Sequence, residues 1–228
     1  MVRILEQPRA TIPGKGSKSI SNLNTPRDHD SEMRTGFVRA ARIFSNVVSP
    51  PVMFSLIGLA LAWKELSFWE GLLWAFIYAF WVTMVPSLFV AFLLKTGRLS
   101  DLHMSSISER RLPYLTSVVG SLIALAVIQI FDGPELLRCL AIFSTLVLAF
   151  LAIISNFWLI SIHATSIAAV TVICGLVFGW WTLLLLLPIA VTICWVRLYL
   201  RRHDVQQVVA GLALGVSTVW LVAQIGCF

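Results

Sequence analysis

The chain has 228 residues, of which 58% are hydrophobic and only 12% charged, and its net charge is +6. Water-soluble domains carry about 25% charged residues, so this composition excludes an ordinary cytosolic or secreted globular enzyme. Crossing a bilayer takes roughly 20 apolar residues. Several stretches meet that requirement, and the basic excess then reads as topology and headgroup contact, with no call for nucleic acid.

Residues 1–36 are polar, with Pro8, Pro13 and Pro26 set among Ser, Asn and Thr. They predict a flexible arm that a partner subunit or the membrane surface would order. The first 45 residues contain no apolar leader of the signal-peptide type. Residues 37–45 put Phe37, Ala40, Ala41 and Phe44 on one face beside Arg39 and Arg42, which predicts a short interfacial helix.

About seven apolar spans follow, at 46–64, 71–94, 113–131, 135–158, 163–179, 181–200 and 205–226. Polar or turn-forming residues separate them: Lys64-Glu65, the 95–111 loop, Asp132-Gly133-Pro134, 156–163, Gly179 and 201–204. The expected fold is therefore an all-α polytopic membrane protein, with residues 37–228 as one transmembrane domain. The break at Gly179-Trp180-Trp181 predicts a tight hairpin. Tryptophans such as Trp69, Trp158 and Trp195 fall near span ends, as in an interfacial belt. Gly211 and Gly215, four apart, suit close helix packing. Cys139, Cys174, Cys194 and Cys227 lie in apolar segments without CxxC spacing, so they read as core residues and not as a disulfide framework or metal site.

If the spans alternate, one side holds the arm, the 95–112 loop, the 159–162 junction and the 201–204 turn. Of the 17 Lys and Arg residues, only Lys64 and Arg138 fall on the other side, which would place the first side in the cytoplasm and the C-terminus opposite. The same alternation gathers His103, His163 and His203 at one end with Asp101, Arg110, Arg111, Ser161, Arg197, Arg201 and Arg202. Histidines and arginines with few acids make a poor divalent-metal site and a good phosphate site, because each guanidinium offers a planar fork of donors. The plainer reading of each residue stays open: His203 as a basic interfacial anchor, His163 as an interhelical hydrogen-bonding residue, Arg110 and Arg111 as loop partners of Glu109.

Residues 197–215, RLYLRRHDVQQVVAGLALG, resemble the third signature of the type 2 phosphatidic acid phosphatase (PAP2) superfamily. Arg197 and His203 have its spacing, and Val208, Ala210, Gly211 and Gly215 match the helix start that follows. Residues 160–164, ISIHA, are similar to the second signature through Ser161 and His163, with Arg197 standing 34 positions beyond that histidine. Residues 100–113, SDLHMSSISERRLP, resemble the first through Arg110 or Arg111 before Pro113.

The resemblance covers roughly residues 40–225 and implies a six-helix core within the bundle. It implies His203 as the nucleophile of a phosphohistidine intermediate and His163 as the acid for the leaving group. Arg197, Arg110, Arg111 and Ser161 would hold the phosphoryl oxygens. The substrate would be a lipid phosphate or an isoprenoid diphosphate, with no metal or other cofactor.

Several positions depart from the pattern. Gln207 stands where an Asp orients the nucleophile, as in a divergent membrane branch of the superfamily, and it can accept from His Nδ1–H without supplying charge. Asp204, next to His203, would point about 100° away on a helix. Ile162 replaces a Gly, Leu159 stands where that branch often has Lys, and His103 and Met104 replace the leading Lys of the first motif. These departures equally suit a catalytically degenerate subunit of a larger membrane complex that binds lipid or pigment and docks other subunits through the arm.

Overall fold

A computed structural model of the chain describes residues 26–28, 35–99 and 107–228. The expected arm lies outside the described residues except at Pro26, Arg27, Asp28, Thr35 and Gly36, and so do Asp101, His103 and Met104. The regular elements among the described residues are all helices. Helix α1 (Gly36–Val47) is followed by α2 (Pro50–Glu65), which opens on Pro50-Pro51, where fixed φ angles and missing N–H groups suit a first turn. The two helices meet at a bend of 42°.

Helices α3 (Phe68–Ala79) and α4 (Val85–Lys95) join through a π-helical turn at Phe80–Met84 into one 28-residue span. Pro86 sits just past the wide turn. A proline cannot donate to the carbonyl four residues back and its ring crowds that group, and widening the preceding turn makes room. The remaining helices are α5 (Ile107–Ile130), α6 (Glu135–Ile154), α7 (Ile162–Phe178), α8 (Trp181–Tyr199) and α9 (Val205–Ala223).

Of the seven expected crossings, five have full-length apolar spans: Phe68–Lys95, Glu109–Ile130, Glu135–Ile154, Trp181–Tyr199 and Val205–Ala223. The other two are shorter. Helix α2 has 16 residues and reaches spanning length only with α1, and α7 has 17. The tight hairpin forms at Gly179, whose φ of +102° suits a residue without Cβ. Outward-facing positions are apolar, among them Phe76, Leu88, Phe92, Leu184, Leu185 and Val191, and Trp69, Trp180 and Trp181 are exposed near helix ends. Polar groups are turned inward instead: Tyr78 donates or accepts at Ser144 Oγ over 2.7 Å in the core. This arrangement belongs to a polytopic helical membrane bundle.

Helix α7 is buried along most of its length, and α9 lies closest against it. A Cβ on Gly215 would run into the Thr165 carbonyl, and one on Gly211 would meet the Ser161 carbonyl at 2.6 Å. The glycine pair therefore serves packing within the chain, setting α9 directly on the helix that carries His163.

The cysteines correct the sequence reading. Cys139, near the start of α6, forms a disulfide with Cys227, 88 residues away, across a Cα–Cα distance of 5.5 Å. The chain turns back after α9 through Gly226 at φ +85°, which brings its last residues to α6. Lying within largely apolar stretches, each cysteine looks like a core residue in sequence. At the same end Glu65 Oε2 accepts the Leu136 N–H over 3.1 Å, and Lys64 Nζ lies 5.4 Å from the Phe178 ring. Cys174 and Cys194 are free thiols. Cys139→Ser is expected to lower the thermal midpoint in detergent and to abolish the mobility shift that reductant produces on gels. A disulfide contributes about 2–4 kcal/mol in the usual case. Identical mobility of oxidised and reduced wild-type protein would contradict the bond.

Candidate phosphate-binding site

At the opposite end of the bundle, segments distant in sequence bring together a buried polar cluster. Helix α7 begins at its N-cap Ser161, whose Oγ accepts the Ala164 N–H, and His163 follows in the first turn. The next hydrogen bonds fix the α7 start against α9: Ser161 N–H donates to the Gln207 carbonyl over 3.3 Å. Arg197 projects from the last turn of α8 and Arg110 from the first turns of α5. His203 lies in the short turn between α8 and α9. Ser161, His163, Arg110, Arg197 and His203 are all buried, none more than 7% exposed.

Helix α1 contributes a residue that sequence reasoning missed. Ser45 is fully buried. Its Oγ accepts from Arg197 Nη1 at 3.2 Å and lies 3.5 Å from His163 Nε2, and its carbonyl is 3.2 Å from that same nitrogen. A carbonyl only accepts, so His163 carries its proton on Nε2 in this arrangement. The signal available in sequence was slight: Ser45 stands four residues after Ala41 on the buried face of an amphipathic helix. Arg110 Nη1 donates to the Ile160 carbonyl over 3.2 Å, just before Ser161. Arg111, adjacent, is exposed. The structure thus separates the two arginines that the sequence left equivalent.

Gln207 does two jobs. Its Oε1 is 2.8 Å from His203 Nδ1 and accepts the Asp204 N–H at 3.4 Å. Two nitrogens converge on this oxygen, so it is the amide oxygen, and His203 Nδ1 carries the proton. Asp204 is the N-cap of α9, outside the regular helix, and its Oδ1 accepts the Gln207 N–H over 2.8 Å. Asp204 and Gln207 form a capping box, and its Gln fixes the neighbouring imidazole tautomer.

Burial holds the His203 pKa down, from an ordinary 6.5 to about 3, with Arg197 and then Arg110 lowering it further and hydrogen bonds to Gln207 and the Leu159 backbone partly offsetting them. The imidazole is neutral at physiological pH. As pH falls below 6.5 the unfolded chain takes up a proton that the folded chain refuses until about 3, so stability declines over that window. The expected slope is on the order of 1 kcal/mol per pH unit. His203→Gln should flatten the fall in thermal midpoint between pH 6.5 and 4.5. An unchanged slope in that variant would assign the acid sensitivity elsewhere.

Among the described residues no three His, Cys, Asp or Glu side chains are grouped to hold a metal ion. No family model matches the chain, and no curated protein or solved structure matches it. What the cluster can do chemically is present two arginine forks, two imidazoles of defined tautomer and the α7 N-terminus to one small anion. A helix N-terminus with arginines beside it favours phosphate.

Proposed function

We propose that the protein is a membrane-embedded, PAP2-like phosphatase acting on a lipid phosphate or isoprenoid diphosphate. The observation that carries this reading is the His203 Nδ1–Gln207 Oε1 hydrogen bond of 2.8 Å beside Arg197. It fixes a proton on Nδ1 of a residue neutral at pH 7 and leaves Nε2 to act as nucleophile once the Leu159 backbone contact gives way. In this reading Nε2 attacks phosphorus and the P–O bond to the lipid alcohol or to the inner phosphate breaks. His163, as the imidazolium, passes one proton to the departing oxygen and is left neutral. Water then cleaves the P–N bond, giving a proton back to His163 and releasing phosphate and free His203. Arg197 and Arg110 stabilise the charge on the equatorial oxygens throughout.

On this proposal the lipid tail would lie along the outer face of the bundle. A groove of about 410 Å³ faces the lipid along α2 and the π-turn, lined by Pro51, Leu56, Phe76, Phe80 and Met84. Its Pro51 end begins just past the α1–α2 bend. The membrane sidedness belongs to the same proposal: arginines cluster at the end that holds His203, which points it to the cytoplasm, and the disulfide end to the more oxidising side.

A second reading has its own support. Ser45 engages both His163 and Arg197, Arg110 caps the Ile160 carbonyl, and Gln207 completes a capping box. A cluster so satisfied can serve as the polar keystone of a non-catalytic subunit that binds lipid or pigment and docks on other membrane proteins. Phosphate release by the detergent-purified protein from phosphatidate, prenyl monophosphates and prenyl diphosphates, in chelator, separates the two. Release from at least one supports the phosphatase. None from a folded protein, together with co-purification at fixed stoichiometry, supports the subunit.

A further inference from the structure

Every charged group of the cluster is buried, so a phosphate can reach it only if something moves. Two described segments cover that end. Helix α1 packs Ala41 on Val196 and Leu200 of the last turns of α8, and it inserts Ser45 between His163 and Arg197. Ahead of it, the Arg27 N–H donates to the Leu200 carbonyl over 3.1 Å, and the Arg27 guanidinium lies 4.5 Å from the Tyr199 ring. Asp28 is completely buried. Its Oδ1 accepts from Arg202 Nε at 2.8 Å, and Arg42 Nη1 lies 3.6 Å from Oδ2 and donates to the Asp28 carbonyl at 3.0 Å. Arg202 is the residue before His203. Asp28 therefore ties α1, through Arg42, to the turn that carries the imidazole.

The far end of α1 is suited to swing. Val48 and Ser49 leave helical geometry, Pro50-Pro51 follow, and the axes bend by 42°. The outer face of α1 carries exposed Ile43 and Val47, which suits a helix resting in the headgroup region, while Phe37 packs edge-on against Trp195 and Tyr199 of α8.

We propose that α1 is a lid over the polar cluster, with Asp28 as its latch on Arg202 and Val48-Ser49 as its hinge. Closed, Ser45 supplies to His163 Nε2 and Arg197 Nη1 the oxygen acceptors that a phosphate would supply. Lifting the lid exposes those two donors together with His203. An anionic phosphate headgroup is the ligand class that fits, since it can replace Ser45 at His163 and Arg197 and compete with Asp28 for Arg202. The inference goes beyond the phosphatase reading and holds for a binding subunit equally, because it concerns access and not turnover.

The test reads imidazole accessibility in the full-length, detergent-purified protein. Diethylpyrocarbonate acylates neutral, reachable imidazoles, and peptide mass spectrometry gives the rate at each histidine. Asp28→Asn should raise the rate at His203 and His163 by at least about tenfold, well within what loss of a buried ion pair can shift a closed–open equilibrium. Asp28→Glu, which keeps the carboxylate, should stay near wild type. Arg42→Gln, which removes the partner on α1 itself, gives a second route to the same opening if Asp28→Asn folds poorly. Inorganic phosphate should slow the reaction in Asp28→Asn. Wild-type His203 reacting as fast as in the variants, or both folded variants protected like wild type, would overturn the lid. Neither result depends on whether the protein turns over a substrate, so loss of the lid and loss of the phosphatase reading are separable.

Discussion

His203→Ala is expected to lower phosphate release by roughly 1,000-fold or more while leaving the helical content of the protein unchanged. On the phosphatase proposal the size follows from the role: without the proposed nucleophile the covalent route would be lost, and arginine binding alone would leave only residual catalysis. The fold should tolerate the change because His203 sits in the turn between α8 and α9, while the α9 start is held by Asp204 and the Gln207 backbone. Gln207 gives the finer contrast. Gln207→Leu removes both the acceptor at His203 Nδ1 and half of the capping box, so activity and stability should fall together. Gln207→Glu keeps an acceptor at both N–H groups and adds negative charge beside the imidazole. It should raise the pH below which activity is lost while preserving the fold. Equal activity in wild type and His203→Ala would remove the mechanism altogether.

Gly215→Val carries the largest expected cost to stability, on the order of 3 kcal/mol. The Thr165 carbonyl occupies the space that a Cβ would need, and backbone cannot step aside as a flexible side chain can. Separating α9 from α7 would also pull the Gln207 carbonyl from the Ser161 N–H, loosening the His163 turn. Ala213→Val, on the same helix but at an exposed position, is the control and should cost less than about 0.5 kcal/mol. Similar thermal midpoints for the two variants in detergent would show that α7 and α9 do not pack through these glycines.

Much of the scaffold was legible in the sequence. Continuous apolar runs broken at Lys64-Glu65, Asp132-Gly133 and Gly179 mark helices by length alone, and the breaks fall where the helices end. The alternation of sides explains why His163, Arg197 and His203 were expected at one end. The Gly211–Gly215 spacing announced close packing. What escaped depends on which helix meets which. Cys139 and Cys227 pair because the chain end folds back on α6, and nothing in either neighbourhood marks that. Arg110 and Arg111 differ only in the face they take on α5. Asp28 and Ser45 lie in a segment that reads as an arm and an interfacial helix. Their meaning appears only when α1 lies over the end of α8. The π-turn was hidden as well: Pro86 is visible in the 71–94 span, but one extra residue in a turn does not alter an apolar run.

One atom, His203 Nε2, would carry the proposed reaction. Rapid quenching of the protein with phosphorus-labelled prenyl diphosphate, followed by alkaline digestion and peptide mass spectrometry, reads whether phosphate becomes attached there. The expected result is an acid-labile, base-stable phosphoryl group on the peptide containing His203, absent from His203→Ala and formed more slowly in His163→Ala, which lacks the acid for the departing oxygen. Release of phosphate with no labelled peptide, or a label carried on any other residue, would contradict the proposed mechanism.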